Sequence, residues 1–191
     1  MESRIAPLSF VADRLIALDQ ANQFYREHHV QGIGEIAGTM YIASSDTTVS
    51  VLGTFVLGML ANPEAQRRAQ ADIDSVVGSE GLPRFEERDK LPYVSAIVKE
   101  ILRWQNVTPV AIPRLLKIKD EFRGYRLPAG SLVIWNAWAL LHAARRVSTQ
   151  TVYPDPHTFN PERLLLNGRL NPAVPDPESA FGFGRRYGIS F

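Results

Sequence analysis

The chain has 191 residues, of which 45% are hydrophobic and 21% charged, which is typical of a globular domain with a sizeable core. Its formal net charge of +1 argues against nucleic acid as a partner. The chain contains no cysteine, which excludes disulfides, thiol nucleophiles and thiolate metal ligands within it. The first residues, MESRIAPLSF, do not match the pattern of a signal peptide or a membrane anchor.

The first predicted element is a helix from about Ser9 to Arg26, where apolar residues recur at helical spacing. A longer helix follows and runs to Ala61, with the apolar stretch MYIASSDTTVSVLGTFVLGMLA at its end. One face of this helix carries small and polar residues: Thr39, Ala43, Asp46, Thr47, Ser50 and Thr54. We expect such a helix inside a protein, with its polar face turned toward a cavity.

Three interpretations of residues 40–61 stay open on pattern alone. The stretch could be a buried core helix whose hydroxyl groups bond to their own backbone carbonyls. It also has the length of a transmembrane span, although Asp46 at the middle of a span would be costly. In the third interpretation, Asp46 and Thr47 handle protons beside a bound cofactor.

Asn62-Pro63 predicts the end of the long helix and the start of another, since asparagine is a good N-cap and proline fits the first helical position. The new helix should reach Val77, with Glu64 and Arg68 paired one turn apart. The segment FEERDK is expected to form a short helical turn.

Pro92 opens the next predicted helix, PYVSAIVKEILRWQ, which has a wide apolar face. Glu100 and Arg103 lie three residues apart on it and are therefore neighbours on its surface. Taken alone, such a pair is most simply an exposed ion pair that contributes a few tenths of a kcal/mol, roughly.

The hydrophobic period changes to two beyond Val110, which predicts short strands over Val110–Ile118, Phe122–Leu127 and Ser131–Trp135. Pro128-Ala129-Gly130 is a predicted turn, and Asn136 should cap a short helix, AWALLHAARR. The proline-dense run that follows predicts an ordered coil, neither helix nor sheet. The predicted fold class is mainly α with a small β-sheet.

Four motifs, in this order, resemble those of the cytochrome P-450 family of haem-thiolate monooxygenases. They are ASSDTT at 43–48 (the motif of the long helix), EILR at 100–103 (the ExxR helix), PERL at 161–164 (the meander coil) and FGFGRR at 181–186 (the haem loop FxxGxRxCxG). The resemblance covers about Val30 to Arg186 and suggests a microsomal eukaryotic, fungal-like member. It implies a partial P-450 fold with a long central helix, the ExxR helix, a small sheet, the meander coil and a truncated haem loop.

The resemblance also implies roles for individual residues. Glu100, Arg103 and Arg163 would form a structural triad in which one carboxylate lies between two guanidinium groups. Asp46 and Thr47 match the family's catalytic acid–alcohol pair, which delivers protons. Cofactor binding falls to four residues, with the arginines facing the haem propionates: Arg114, Phe181, Gly184 and Arg186.

The chain departs from the family at the iron ligand. The family's cysteine thiolate would fall at Gly188, which has no side chain, so no metal ligand is assigned. We therefore expect residues 1–191 to be a single partial domain, a fragment or the product of a mis-joined gene model. The front half and the segment after the haem loop would then be missing.

By resemblance, the function is haem-dependent insertion of one oxygen atom of O2 into an apolar small molecule, with electrons from an NADPH-dependent reductase. The family's eukaryotic members lie on the endoplasmic reticulum membrane. Gly188 argues against stable haem binding and against catalysis by this chain. The alternative is a non-catalytic remnant or an interaction protein.

Overall fold

Helices and short strands make up the computed structural model of the chain. It describes residue 16 and residues 23–78, 81–143, 146–147, 150–151 and 153–183. The architecture is mainly α with a small β component, as the sequence predicts. The strands are two or three residues long and lie in two-stranded antiparallel sheets. Contacts divide the chain into two units, residues 1–49 and residues 50–191. The helix predicted from Ser9 falls largely outside the described residues.

The longest element is helix α1, Gln23–Ala61. Three of its hydroxyl groups donate to the carbonyl oxygen four residues earlier: Thr39 to Glu35 (2.7 Å), Ser44 to Met40 (2.7 Å) and Thr47 to Ala43 (2.6 Å). These bonds satisfy the hydroxyl groups locally, so the polar residues are compatible with a continuous helix.

Most apolar side chains of α1 are exposed, contrary to the expectation of an enclosed helix. Tyr41, Ile42, Val49 and Leu60 are between 68% and 74% exposed. Among its described residues, only Gly58 and Met59 at the C-terminal end are buried, because only that end meets the core. By length and composition, the segment Gly32–Ala61 is long and apolar enough to cross a membrane.

Helix α2, Pro63–Val77, begins at the predicted proline and reaches the predicted Val77. Gly78 follows it with a φ of 78°. The amide of Gly78 closes the helix by donating to the carbonyl of Asp74 at 3.0 Å. Asn62 acts differently from the prediction. Its side-chain amide donates backward to the carbonyl of Gly58 at 2.9 Å, at the end of α1, and does not cap α2.

The predicted pair of Glu64 with Arg68 is wrong. Glu64 pairs with Arg67, one residue nearer, and Arg68 instead pairs with Glu162 on the distant coil. The guanidinium of Arg68 also lies over the ring of Tyr93, 4.6 Å from its centroid. Arg68 therefore connects α2 to two other elements, where a contact within its own helix was expected.

A 3-10 helix, Phe85–Lys90, forms the predicted short turn and leads into helix α3, Pro92–Trp104. The carboxylate of Asp72 on α2 accepts hydrogen bonds from the amides of Tyr93 (3.1 Å) and Val94 (3.3 Å). These amides belong to the first turn of α3, where no intrahelical acceptor exists. A side chain of one helix therefore caps the next helix.

The core of the second unit is built around α3. Six of the buried residues form one hydrophobic cluster: Met59, Ala65, Tyr93, Ile97, Ile101 and Phe159. The rings of Trp104 and Phe159 pack edge to face, with centroids 5.3 Å apart. The C-terminal end of α1, helices α2 and α3 and the coil after Tyr153 all contribute to this cluster.

The strands are shorter than the sequence predicts. Strand β1 (Arg114–Leu115) pairs with β4 (Leu132–Val133), and β2 (Asp120–Phe122) pairs with β3 (Tyr125–Leu127). Pro113 lies within the predicted first strand and has no amide to donate to a ladder, which accounts for its late start. The predicted turn at 128–130 is confirmed, with the amide of Ser131 donating to Pro128 at 3.3 Å.

Helix α4, Ala137–His142, is capped as predicted, since the amide of Ala139 donates to the side chain of Asn136 at 2.8 Å. Its predicted extension to Arg146 is wrong. The backbone becomes extended at Ala143, and strand β5 (Arg146–Val147) pairs with β6 (Gln150–Thr151).

The proline-dense coil contains more regular structure than predicted. A 3-10 helix, Pro161–Leu164, is followed by a hairpin of β7 (Leu165–Leu166) and β8 (Arg169–Leu170) that packs on α3. Asn167 and Gly168 form its two-residue turn with φ values of 52° and 75°. An Asn-Gly dipeptide between apolar residues is a strong hairpin signal, so this element was open to prediction.

Candidate functional site

A buried cluster of one carboxylate and two guanidinium groups lies at the centre of the second unit. The side chains of Glu100, Arg103 and Arg163 are 0%, 1% and 4% exposed, respectively. Arg103 holds both carboxylate oxygens of Glu100, through Nη2 to Oε1 at 2.7 Å and Nε to Oε2 at 2.8 Å. Arg163 adds a bond from Nε to Oε1 at 3.2 Å. The structure therefore brings together the three residues of the predicted triad.

The cluster also holds the coil against α3. Oε1 of Glu100 accepts the backbone amide of Asn160 at 2.9 Å. Arg103 donates through Nη1 to the carbonyl of Pro156 at 2.7 Å, and Arg163 through Nη2 to that of Thr158 at 2.8 Å. Coil carbonyls thereby receive the bonds that a buried guanidinium requires. The role that this geometry supports is structural.

Two pKa shifts follow from this packing. Burial lowers the pKa of Arg163, and the neighbouring charge of Glu100 opposes that change. Burial raises the pKa of Tyr153 to about 12, partly offset by Arg103, whose guanidinium lies 5.4 Å from the ring centroid. The hydroxyl of Tyr153 donates to the carbonyl of Pro175 at 3.0 Å, which joins two distant parts of the coil.

His142 joins α4 to the end of α3. Its Nδ1 lies 2.9 Å from the carbonyl oxygen of Trp138 and its Nε2 lies 3.0 Å from that of Trp104. Burial lowers the pKa of His142, although the two carbonyl oxygens act in the opposite direction. The ring stacks on Trp138, with centroids 4.4 Å apart. His142 is therefore a packing residue at the contact between α3 and α4.

A second site forms where Arg114 meets the start of the glycine-rich loop. Nη2 of Arg114 donates to the carbonyl of Phe183 at 2.8 Å, and the guanidinium lies 5.3 Å from the ring centroid of Trp135. The rings of Trp135 and Phe183 pack edge to face at 5.8 Å. The structure thus places Arg114 beside the loop to which sequence reasoning assigned it.

Gly182 allows this loop to lie close to the ring of Trp135. Its φ is 94°, and a Cβ at this position would lie 3.1 Å from the ring of Trp135. A larger residue would therefore be strained in its backbone and tight against that ring. Phe181 precedes it and ends the 3-10 helix Glu178–Ala180, with its amide donating to Glu178 at 2.9 Å.

Three of the predicted loop positions, Gly184, Arg186 and Gly188, lie outside the described residues. The side chains that are present can be compared with the two things that a haem-thiolate site requires, a partner for the propionates and a ligand for the iron. The exposed guanidinium of Arg114 suits a propionate. The chain has no cysteine to ligate iron, and the described residues contain no group of three metal-ligating side chains. The residues present thus fit the propionates of haem, and they do not provide a thiolate ligand for its iron.

Asp46 and Thr47 lie in the first unit, on α1. Asp46 is exposed, and the hydroxyl of Thr47 donates to Ala43 within the helix. Their role in proton delivery stays a prediction.

Sequence reasoning missed several positioning residues, which are Asp72, Trp135, His142, Tyr153 and Asn160. Only Asn160 carried a local signal, because Asn-Pro is typical of a capped helical start. Its side chain accepts the amide of Glu162 at 3.0 Å. The contacts of the other four join distant segments, which no local pattern reveals.

Comparison with known proteins agrees with these observations. Residues 2–188 match the model of the cytochrome P-450 family. Cytochrome P-450 monooxygenase COX2 of Coprinopsis cinerea is 41% identical over 187 residues, which are 97% of this chain and 34% of that protein. Cytochrome P-450 monooxygenase 98 of Postia placenta is 44% identical over 180 residues, 93% of this chain and 33% of that protein.

A third relative, tryptamine 4-monooxygenase of Psilocybe cyanescens, is 40% identical over 185 residues, which are 95% of this chain and 35% of that protein. The chain belongs to the cytochrome P-450 family, a family of haem enzymes, and these relatives are fungal monooxygenases. It spans about a third of the length of these curated relatives.

Proposed function

We propose that this chain is part of a haem-dependent monooxygenase that inserts one oxygen atom of O2 into an apolar small molecule. An NADPH-dependent reductase supplies the electrons, and the whole protein works at the endoplasmic reticulum membrane. The observation that carries the proposal is the family match over residues 2–188, which includes the Glu100–Arg103–Arg163 cluster. Residues 1–191 form a single partial domain of that enzyme.

Arg114 is the proposed propionate ligand, with Phe181, Gly184 and Arg186 completing the cofactor loop. Two features support this role. The guanidinium uses one donor on Phe183 and keeps others available for a carboxylate. In addition, the indole Nε1 of Trp135 beneath it is buried without an acceptor among the described residues, as expected where a ligand oxygen is accommodated.

Asp46 and Thr47 are the proposed proton-handling pair. Haem, when bound, supplies the redox chemistry that activates O2. The hydroxyl of Thr47 donates to the carbonyl of Ala43 and keeps its oxygen free to accept a hydrogen bond, and the Asp46 carboxylate is exposed to water.

This chain by itself is proposed to be inactive, since Gly188 stands at the thiolate position and no other residue of the chain is a cysteine. The same observation favours a second candidate function. In that case the chain is a non-catalytic remnant or an interaction protein that keeps the family's structural cluster and has lost its iron ligand.

Hemin titration of the purified chain, with an assay of substrate oxidation, tests the assignment of the haem loop and the proposed inactivity of this chain. We expect the wild type to lack the absorption signature of thiolate-ligated haem, and Gly188→Cys to gain it. Ser190→Cys is the matched control, because it places one thiol two residues out of register. Thiolate-type spectra in neither variant would contradict the loop assignment, and substrate oxidation by the wild type would contradict its inactivity.

A further inference from the structure

A surface cleft of about 1100 Å³ lies between the 3-10 helix Phe85–Lys90, the first half of α3 and the β7–β8 turn. This volume is comparable with the roughly 300–1,000 Å³ of small-molecule pockets. None of the residues assigned to cofactor binding, to the triad or to proton delivery lines it.

The floor of the cleft is apolar because of the helical geometry of α3. The face carrying Ile97, Glu100 and Ile101 is buried in the core. Val94 and Val98, one turn apart, lie on another face and line the cleft. Val98 is 46% exposed, which is high for a valine on a helix that packs so closely on its other side.

The rim of the cleft is cationic. Five basic residues and one acidic residue contribute to its lining: Arg84, Arg88, Lys90, Lys99, Arg169 and Asp89. Lys99 is neutralised by an ion pair with Asp176. Among the described residues, Arg88, Lys90 and Arg169 have no acidic partner.

The nearby carboxylates do not neutralise the whole rim. Asp89 lines the cleft and offsets one of its positive charges, although it forms no ion pair among the described residues. The carboxylate of Glu87 accepts the backbone amide of Arg84 at 2.9 Å and is engaged in closing the 3-10 helix. Glu86 does not line the cleft. An apolar floor with an unpaired cationic rim matches a ligand that has an apolar body and an anionic head.

We propose that this cleft binds an amphipathic organic anion. Its hydrocarbon part lies on Val94 and Val98, and its carboxylate or phosphate head is held by Arg88 and Arg169. The site is independent of haem, so it would function whether or not the chain holds the cofactor.

Titration of the full chain with dodecanoate and with dodecyl phosphate, below their micellar concentrations, tests the proposal. Chemical shifts of the backbone amides in two-dimensional 1H–15N NMR spectra serve as the readout. We expect saturable shifts at residues 94–99 and 168–170, with the tighter ligand identifying the head group. Dodecanol, which has the same chain and no charge, should bind at least about tenfold more weakly.

Two variants and a matched control show which residues contribute to the affinity for dodecanoate. Arg88→Gln/Arg169→Gln should weaken dodecanoate binding by about tenfold or more, and Val98→Glu should weaken it by placing a negative charge on the floor. Lys117→Gln/Lys119→Gln removes the same charge from an exposed segment elsewhere and should leave the affinity unchanged. Equal affinities of all four proteins, or of dodecanoate and dodecanol, would overturn the proposal. Circular dichroism confirms that each variant stays folded.

Discussion

Glu100 illustrates how this chain accommodates a buried charge. An exposed ion pair contributes about 0.2–1 kcal/mol, whereas removing one partner of a buried pair costs about 3–5 kcal/mol. Glu100 is fully buried, and its two oxygens accept four hydrogen bonds, from Arg103, Arg163 and the amide of Asn160. Its carboxylate compensates two guanidinium groups, so its removal would leave both uncompensated.

We therefore expect Glu100→Gln to lower the free energy of unfolding by about 3 kcal/mol. Urea unfolding followed by circular dichroism measures this change. Glu64→Gln is the control, because Glu64 pairs with Arg67 at an exposed position and should cost less than about 1 kcal/mol. Similar losses in the two variants would show that the buried cluster does not stabilise the fold as argued.

Tyr153 makes the stability depend on pH in the alkaline range. Burial raises its pKa in the folded chain to about 12, above the usual 10.0 of a tyrosine, so the folded state favours the neutral phenol. Its stabilising contribution is complete below pH 10, and it is lost as the pH rises through about 12.

Tyr153→Phe should therefore flatten the fall in unfolding free energy between pH 10 and pH 12, the interval between its two pKa values. At neutral pH it should cost about 1 kcal/mol, since the hydrogen bond to Pro175 is lost. Urea unfolding at a series of pH values provides the measurement. Tyr125→Phe, at an exposed position, should keep the wild-type profile, and an unchanged profile in Tyr153→Phe would contradict the assignment.

At the scale of elements, the second unit is held together by side chains that satisfy the backbone of another segment. Asp72 of α2 caps α3, Arg103 of α3 binds coil carbonyls, and His142 of α4 meets the last carbonyl of α3. Each of these bonds serves a group that has no partner within its own element. The packing of the elements against one another is therefore maintained by specific polar contacts as well as by the apolar core.

Asp72→Ala should destabilise the chain by about 0.5–2 kcal/mol, because two amides of the first turn of α3 lose their acceptor. Thermal unfolding measures the effect. Asp74→Ala, on the same helix, removes an exposed carboxylate that makes no ion pair in the described part of the chain, and it should be nearly neutral. Equal effects of the two substitutions would argue against interhelical capping.

The elements differ in how far local pattern predicts them. The start of α3 at Pro92 and the cap of α4 at Asn136 were predicted correctly, because proline and asparagine act on their immediate neighbours. The end of α4 was not, since Ala143 and Arg146 are compatible with a helix and the strand pairing of β5 with β6 decides otherwise. The partner of Arg68 was missed for the same reason.

At the scale of the whole molecule, the outstanding feature is the exposed apolar surface of α1. Soluble monomers rarely expose apolar patches larger than a few hundred Å², approximately, unless the patch contacts something. Ile42 and Val49 lie two turns apart on one face, and each is 68% exposed.

We expect the isolated chain to self-associate in water, and Ile42→Gln/Val49→Gln to shift it toward the monomer. Size-exclusion chromatography with light scattering gives the mass. Ile112→Gln/Ile118→Gln removes two apolar side chains that are 78% and 76% exposed on another part of the chain and should leave the association unchanged. A monomeric wild type would contradict the expectation.

The sequence by itself determined the family, the starts of α2, α3 and α4 and the residue types of the buried cluster. These follow from motifs whose meaning depends on neighbours along the chain, such as ExxR, Asn-Pro and the missing cysteine at Gly188. Only the tertiary structure decided that Glu100 also accepts the backbone amide of Asn160, that Asp72 caps a second helix and that Trp135 lies against Gly182. Burial and hydrogen bonding between distant segments depend on which surfaces meet, and a local pattern does not contain that information.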